Sequence, residues 1–237
     1  MKFSIITATY NSAALVGALA GAIRAQTCGD YEWIVVDGAS TDATVERVHQ
    51  SGVGNLTCLS EPDDGIYAAL NKGVDLARGD YLYFIGADDV LADERVLADV
   101  AQALHPSDVC LFGDVIDGRG VCFRSRVGWK SGVVNTIHHQ GAFYRRDLFD
   151  DFRFDTGIKV VADYELNFRL SLWHRQACRR IERLIARCGP DGASNRGGES
   201  RNYADMRRLR SRYIGPWRNG LCHALAMANL TLRQRQA

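Results

Sequence analysis

Three apolar runs within residues 1–89 each end in a polar or acidic turn, and no other feature restricts the fold of this chain so strongly. They are Ser4-Ile5-Ile6-Thr7-Ala8-Thr9-Tyr10-Asn11, Trp33-Ile34-Val35-Val36-Asp37-Gly38-Ala39-Ser40-Thr41-Asp42, and Tyr81 to Ile85 followed by Gly86-Ala87-Asp88-Asp89. The residues between them carry helical spacing, as in Leu15, Leu19 and Ile23. Strand and helix signals in alternation build a largely parallel sheet covered on both faces. Open sheets of this kind bind ligands outside the carboxyl ends of their strands, and here three such ends point at one crevice.

The spacing predicts strands over 2–9, 32–37, 56–60 and 81–85, and helices over 12–26, 41–51, 66–77 and 93–104. Thr41 and Asp93 are placed to cap the second and fourth helices. Further on, strands are expected over 109–115, 121–124 and 141–144, and a helix over 163–176 with Leu166, Leu170 and Trp173 on one face. Residues 188–198 are too rich in glycine and turn formers for an element, and they read as a loop. An Arg-rich helical segment follows, then a break at Gly215-Pro216 and an apolar helix over 221–232. The expected organisation is one α/β domain over 1–195, in two halves, 1–104 and 105–195. Residues 196–237 are expected to form a basic, amphipathic helical extension.

Net charge is only +1, but its distribution is uneven: residues 1–100 hold 6 Lys/Arg against 15 Asp/Glu, and residues 101–237 hold 23 against 13. An acidic first half suits a metal-binding site, and a basic second half suits an anionic acceptor, a diphosphate or a membrane surface. The seven cysteines are scattered, without a CxxC pair or zinc spacing, as expected of reduced core residues. Met1-Lys2-Phe3 leads directly into a strand without a cleavable signal pattern, so a cytoplasmic protein is expected. Where a dinucleotide fold would carry GxGxxG, this chain has Thr7-Ala8-Thr9-Tyr10-Asn11, which demotes dehydrogenases.

Adjacent carboxylates at a strand end, Asp88-Asp89, offer hard oxygen ligands to Mg²⁺ or Mn²⁺ bridging to phosphates. Asp37, before Gly38, can accept the imide N–H of a pyrimidine base, although a turn Asp is the plainer reading. In Glu61-Pro62-Asp63-Asp64-Gly65, Gly65 permits a close backbone approach or a positive φ. Asp163 opens a helix on the same face as Leu166 and Leu170, whereas Glu165 points elsewhere, so Asp163 can be an N-cap, a general base or both.

These segments, in this order, resemble the inverting family-two glycosyltransferases of the GT-A fold, particularly those that build bacterial exopolysaccharide, colanic-acid-like polymers and lipopolysaccharide. The resemblance covers most of residues 1–195. It implies a mostly parallel Rossmann-like sheet flanked by helices, and transfer of a sugar, with inversion, from a nucleotide-diphosphate donor, UDP-linked by preference. The acceptor implied is a glycan or a polyprenyl-diphosphate-linked glycan. By the same resemblance Thr7, Thr9, Tyr10, Asn11, Asp37, Gly65, Asn71, Lys72, Ala87 and Asp88 would border the donor, and Asp88 and Asp89 would hold Mg²⁺ or Mn²⁺. His139 and Gln140 would face the acceptor or diphosphate, and Asp163 would be the catalytic base. Three departures stand out: Gly86, Ala68 and Ala162 occupy places where relatives have acids or, for the first, an amide.

Seven arginines between Arg196 and Arg218, interleaved with Tyr203, Leu209, Tyr213 and Trp217, are expected to form a basic surface for anionic lipid head groups on the inner face of the plasma membrane or for a polyprenyl-diphosphate acceptor. Nucleic acid is not an expected partner, because no RNP, KH or zinc pattern accompanies these arginines. The alternatives are a nucleotidyltransferase, which would need a Gly-rich basic first loop, and a non-catalytic binding protein.

Overall fold

The computed structural model describes residues 1–189 and 199–234. Among them nine strands form one sheet, β1 (Phe3–Thr9), β2 (Tyr31–Asp37), β3 (Leu56–Ser60), β4 (Tyr81–Phe84), β5 (Val90–Leu91), β6 (Cys110–Ile116), β7 (Cys122–Arg124), β8 (Ala142–Arg145) and β9 (Cys178–Arg187). Their order is β3-β2-β1-β4-β8-β6-β9-β5, with β7 beside β6. The helices are α1 (Ala13–Arg24), α2 (Thr44–His49), α3 (Ile66–Leu76), α4 (Val96–Ala103), α5 (Asp163–Trp173), α6 (Glu199–Arg210) and α7 (Pro216–Gln234).

The fold is of the expected class, with a parallel block followed by a mixed one. β3, β2, β1 and β4 run parallel. β8 then enters antiparallel to both β4 and β6, while β9 returns parallel to β6. Period-two alternation sorts the side chains of the parallel block onto two faces. Ile6, Ile34 and Val36 pack with Leu70, Phe154 and Leu166 in one core. Ile5, Trp33 and Val35 pack with Val16, Leu19 and Leu97 in the other. Gly73 lets α3 lie close on β1, because a Cβ there would overlap the Ile6 side chain.

In-register pairing places the strand ends. Thr9 lies opposite Asp37, and Asp37 opposite Ser60. β4, paired to β1 at Ile6↔Phe84, ends just before Gly86. The three polar ends converge for that reason.

Several boundaries differ from expectation. α2 begins at Thr44, not Thr41, because Asp42 accepts from the Thr44 backbone N at 3.0 Å and the Ala13 N at 3.1 Å, ending the loop there. α4 begins at Val96, since residues 90–91 are drawn into a short strand against β9. Asp93 accepts from the Arg95 N and from Arg183 and does not cap that helix. Gly215-Pro216 marks a helix start: proline suits the first turn, which needs no N–H there. The expected 188–198 loop, with Arg196, lies outside the described residues apart from Cys188 and Gly189.

Candidate active site

Two adjoining cavities open where these strands end. The outer one, about 740 Å³, lies between the β1 end (Thr9, Tyr10, Asn11), the turn at Asp63 and Gly65, and Ala87-Asp88. The inner one, about 100 Å³, continues past Gly86 and Asp88 to His138, His139, Gln140 and Lys159. Asp88 borders both.

The outer cavity rests on a buried carboxylate. Asp37 accepts from Thr9 Oγ1 (2.9 Å), Ser40 N (2.8 Å), Ser40 Oγ (2.5 Å) and Ser60 Oγ (2.7 Å). Burial raises its pKa, but these donors outweigh it and hold the carboxyl below the ordinary Asp range. All four protein donors lie beneath the cavity wall, and through them Asp37 fixes the two loops. Beside it, Asn11 (φ +46°) and Ala39 (φ +59°) adopt left-handed backbone. At Ala39 this costs about 1–2 kcal/mol, offset by the bonds that fix its neighbours. Tyr10 stands exposed on the rim of the outer cavity.

Three other expected donor residues make contacts within the protein. Thr7 is buried and accepts the Trp33 indole N–H at 3.0 Å. Asn71 clasps the Phe154 backbone through both its amide atoms, at 2.9 Å each. Lys72 pairs with Glu61 at 2.7 Å and donates to the Pro62 carbonyl, bracing the 61–65 turn and not a phosphate. Two residues not expected from sequence border the cavities instead. Asp63 lines the outer one and accepts from the Gly65 N at 2.8 Å, with Gly65 at φ +114°. Lys159 lines the inner one and donates to the Asp64 carbonyl at 3.0 Å. Asp63 was signalled by the segment around it, but Lys159 stands in an irregular stretch without periodicity.

Asp89, expected as a metal ligand, has both carboxylate oxygens engaged by the protein. Its Oδ2 accepts from Gly86 N (2.9 Å) and Gln140 Nε2 (3.0 Å), and its Oδ1 from Gly189 N (3.0 Å). Buried and triply bonded, it ties the β4 end to the acceptor side. Gly86 has a packing reason too: a Cβ there would come within 2.8 Å of Asp89 and 2.9 Å of Asp88. Among the described residues no three His, Cys, Asp or Glu side chains converge as a metal cage. A cation that takes one carboxylate and completes its shell with water and substrate oxygens fits Asp88; one that needs an all-protein cage does not.

Asp163 heads α5 as expected, but it is buried. Its Oδ1 accepts from the Tyr67 hydroxyl (3.2 Å) and its Oδ2 from Asn135 Nδ2 (2.8 Å), with His139 Nδ1 3.5 Å from Oδ2. Burial pushes its pKa up, yet His139 and Asn135 hold it below the usual carboxylate value. Asp163 therefore stays ionised behind His139, whose ring reaches the inner cavity. Neighbouring His138 is lowered to about 4 by burial and by His139, and is neutral at pH 7. Glu165 points away, into Arg212 and Tyr213.

A mixed α/β sheet whose parallel block ends in an open crevice, with helices on both faces, is of the GT-A type. The chain belongs to glycosyl transferase family 2, whose profile matches residues 4–153. It is 40% identical over 181 residues to a PGL/p-HBAD biosynthesis glycosyltransferase of Mycobacterium tuberculosis, covering 70% of this chain and 68% of that protein. An uncharacterised glycosyltransferase of the same organism is 29% identical over 219 residues, or 87% and 82% of the two chains. Among solved structures, S. aureus TarS 1–349 in complex with UDP-GlcNAc superposes with a TM-score of 0.77 at 20% identity, over 96% of this chain and 72% of that one. A Pyrobaculum calidifontis mannosyltransferase in complex with GDP-Man and Mn²⁺ gives 0.65 at 20%, over 98% and 75%. At such identities the two structures speak for the fold.

Proposed function

We propose that this family-2 enzyme transfers a sugar, with inversion, from a nucleotide-diphosphate donor, UDP-linked by preference, to a hydroxyl of a glycan or lipid-linked acceptor in bacterial surface polysaccharide or glycolipid assembly. The observation that carries this is the position of Asp88 on both cavities: a nucleoside in the outer one puts its diphosphate at Asp88 and its sugar toward His139 and Lys159. Tyr10 and Asp63 border the base and ribose in this arrangement. The UDP and UDP-GlcNAc complexes of TarS and the GDP-Man complex of the mannosyltransferase favour a nucleotide sugar, though the base itself stands on the smaller weight of TarS.

The reaction is a single displacement. The acceptor oxygen attacks the anomeric carbon, the bond to the diphosphate oxygen breaks, and the nucleoside diphosphate leaves with the bonding electrons. The acceptor proton passes to the Asp163–His139 pair, in which Asp163 supplies the negative charge and His139 the atom facing the cavity; a base so placed contributes roughly 10²–10⁴-fold. Lys159, at the same cavity, is placed to balance charge on the departing diphosphate. A Mg²⁺ or Mn²⁺ on Asp88 would neutralise the same phosphates as a Lewis acid.

Calorimetric titration with UDP, with and without Mn²⁺, tests the placement. Metal-strengthened binding is expected in the native protein, and weak, metal-independent binding in Asp88→Ala. Identical metal-dependent affinity in both would contradict it.

A further inference from the structure

The basic segment beyond residue 196 does not present its arginines as one sheet of charge. Arg210 is fully buried, where its guanidinium meets Asn219, the Tyr164 hydroxyl and the Val133 carbonyl. Arg212 is spent on Glu165 and Asp155. What remains exposed is different in kind. On α7, Trp217 is 89% exposed, Leu221 58% and Leu225 46%, at the i, i+4, i+8 spacing of a single helix face. Trp129, 71% exposed, belongs to a short turn whose Gly132 lies beside Cys222 of α7 and Phe168 of α5.

Charge accompanies the ridge. From Met206 to the end the sequence holds seven arginines and not one Asp or Glu. Arg207 and Arg208 line a crevice of about 530 Å³ between α6 and the start of α7, beside Pro216 and hence one residue from Trp217. Among the described residues no helix is long and apolar enough to cross a membrane. A helix with aromatic and leucyl side chains on one face, arginines at its border and no acid lies in the plane of a lipid interface, its apolar face among the acyl chains and its cations at the phosphates.

We infer that α7, with Trp129, is the face by which the protein docks on an anionic bilayer, Trp217, Leu221 and Leu225 entering the interface and Arg207 and Arg208 meeting lipid phosphate. Asn135, between Trp129 and His139 in the sequence, donates to Asp163. A lipid-borne acceptor delivered from the docked face rests on the proposed acceptor class; the docking itself does not.

Co-sedimentation with sucrose-loaded vesicles tests it, with no donor present. The native protein should bind vesicles containing phosphatidylglycerol at least tenfold more tightly than pure phosphatidylcholine, and less tightly as salt is raised. Trp217→Ser with Leu221→Ser and Leu225→Ser should lose binding at least tenfold, and Arg207→Gln with Arg208→Gln should lose the preference for anionic lipid, all with unchanged circular dichroism and unchanged UDP affinity in solution. Equal binding to both lipids, or full binding by the Ser variant, would overturn the inference. So would a shift from dimer to monomer in the Ser variant by sedimentation equilibrium without loss of lipid binding, because the ridge would then be an interface between copies. Loss of UDP binding in the native protein with vesicle binding intact would instead strike the proposed enzymatic reading.

Discussion

At the scale of single residues, the carboxylates divide by what meets their oxygens. Asp37 and Asp89 are surrounded by protein donors, Asp163 by donors and a histidine, and Asp88 alone among these four borders both cavities. For Asp37 this has a consequence for acid stability. Its folded pKa lies below the unfolded value of about 4, so its stabilisation is complete above that value and fades as pH falls through the folded pKa. Asp37→Asn should cost roughly 1.5–3 kcal/mol at pH 7, as for hydrogen bonds to a charged group. Urea unfolding at pH 7, 5, 4 and 3 should show that gap narrowing below pH 4, with Asp108, Asp155 and Asp163 titrating alike in both proteins. A gap that stays constant down to pH 3 would mean that Asp37 is not held ionised by its four donors. Type and strand position pointed to Asp37, Asp88 and Asp163 in the sequence. Which of them would be saturated could not be read there, since Ser60 and Asn135 come from 23 and 28 residues away.

At the scale of elements, α5 joins the site to the C-terminal helices. Asp163 faces the cavity wall from its first turn, while Glu165, two residues on, accepts from Arg212 Nη1 at 2.9 and 3.0 Å and from the Tyr213 hydroxyl at 2.6 Å. Burial and Glu165 push Tyr213 up to about 12, so it remains a donor at neutral pH. Glu165→Gln should therefore lower stability by about 1.5–3 kcal/mol in thermal or urea unfolding, with kcat at 25 °C within a few-fold of native. A kcat loss as large as that of Asp163→Asn would place Glu165 in the chemistry. Period-3.6 spacing made α1, α3 and α5 legible, and the β-branched runs revealed β1 and β2. β9 was not legible, because Cys178-Arg179-Arg180-Ile181-Glu182-Arg183 alternates weakly and its charges are placed by distant partners: Arg179 with Asp108, Arg180 with Asp114, Arg183 with Asp93. β5, two residues long, exists only because β9 lies beside it.

For the whole molecule, the parallel block over β1 to β4 follows from short right-handed strand–helix–strand connections, which sequence order alone nearly determines. The mixed block does not, since β8 is inserted between β4 and β6 by contacts that span more than thirty residues. The acidic first half and the basic second half separate in this architecture: the outer cavity is lined by residues from 8 to 88, while His138, His139, Gln140, Lys159 and the C-terminal helices come from the other. The central claim is that this crevice activates a nucleotide sugar and that the Asp163–His139 pair draws off the acceptor proton. It is tested most directly by release of nucleoside diphosphate from a panel of UDP-, GDP- and dTDP-sugars with Mn²⁺, water taking the sugar as the attacking hydroxyl in place of the acceptor, measured for the native protein, Asp163→Asn, His139→Gln and the double variant. The native protein should turn over a UDP-sugar, each single variant should lose roughly 10²-fold or more in kcat with UDP affinity almost unchanged, and the double variant should be little worse than either, as for groups that act as a unit. Turnover of no sugar in the panel, or near-native kcat in Asp163→Asn, would contradict the account.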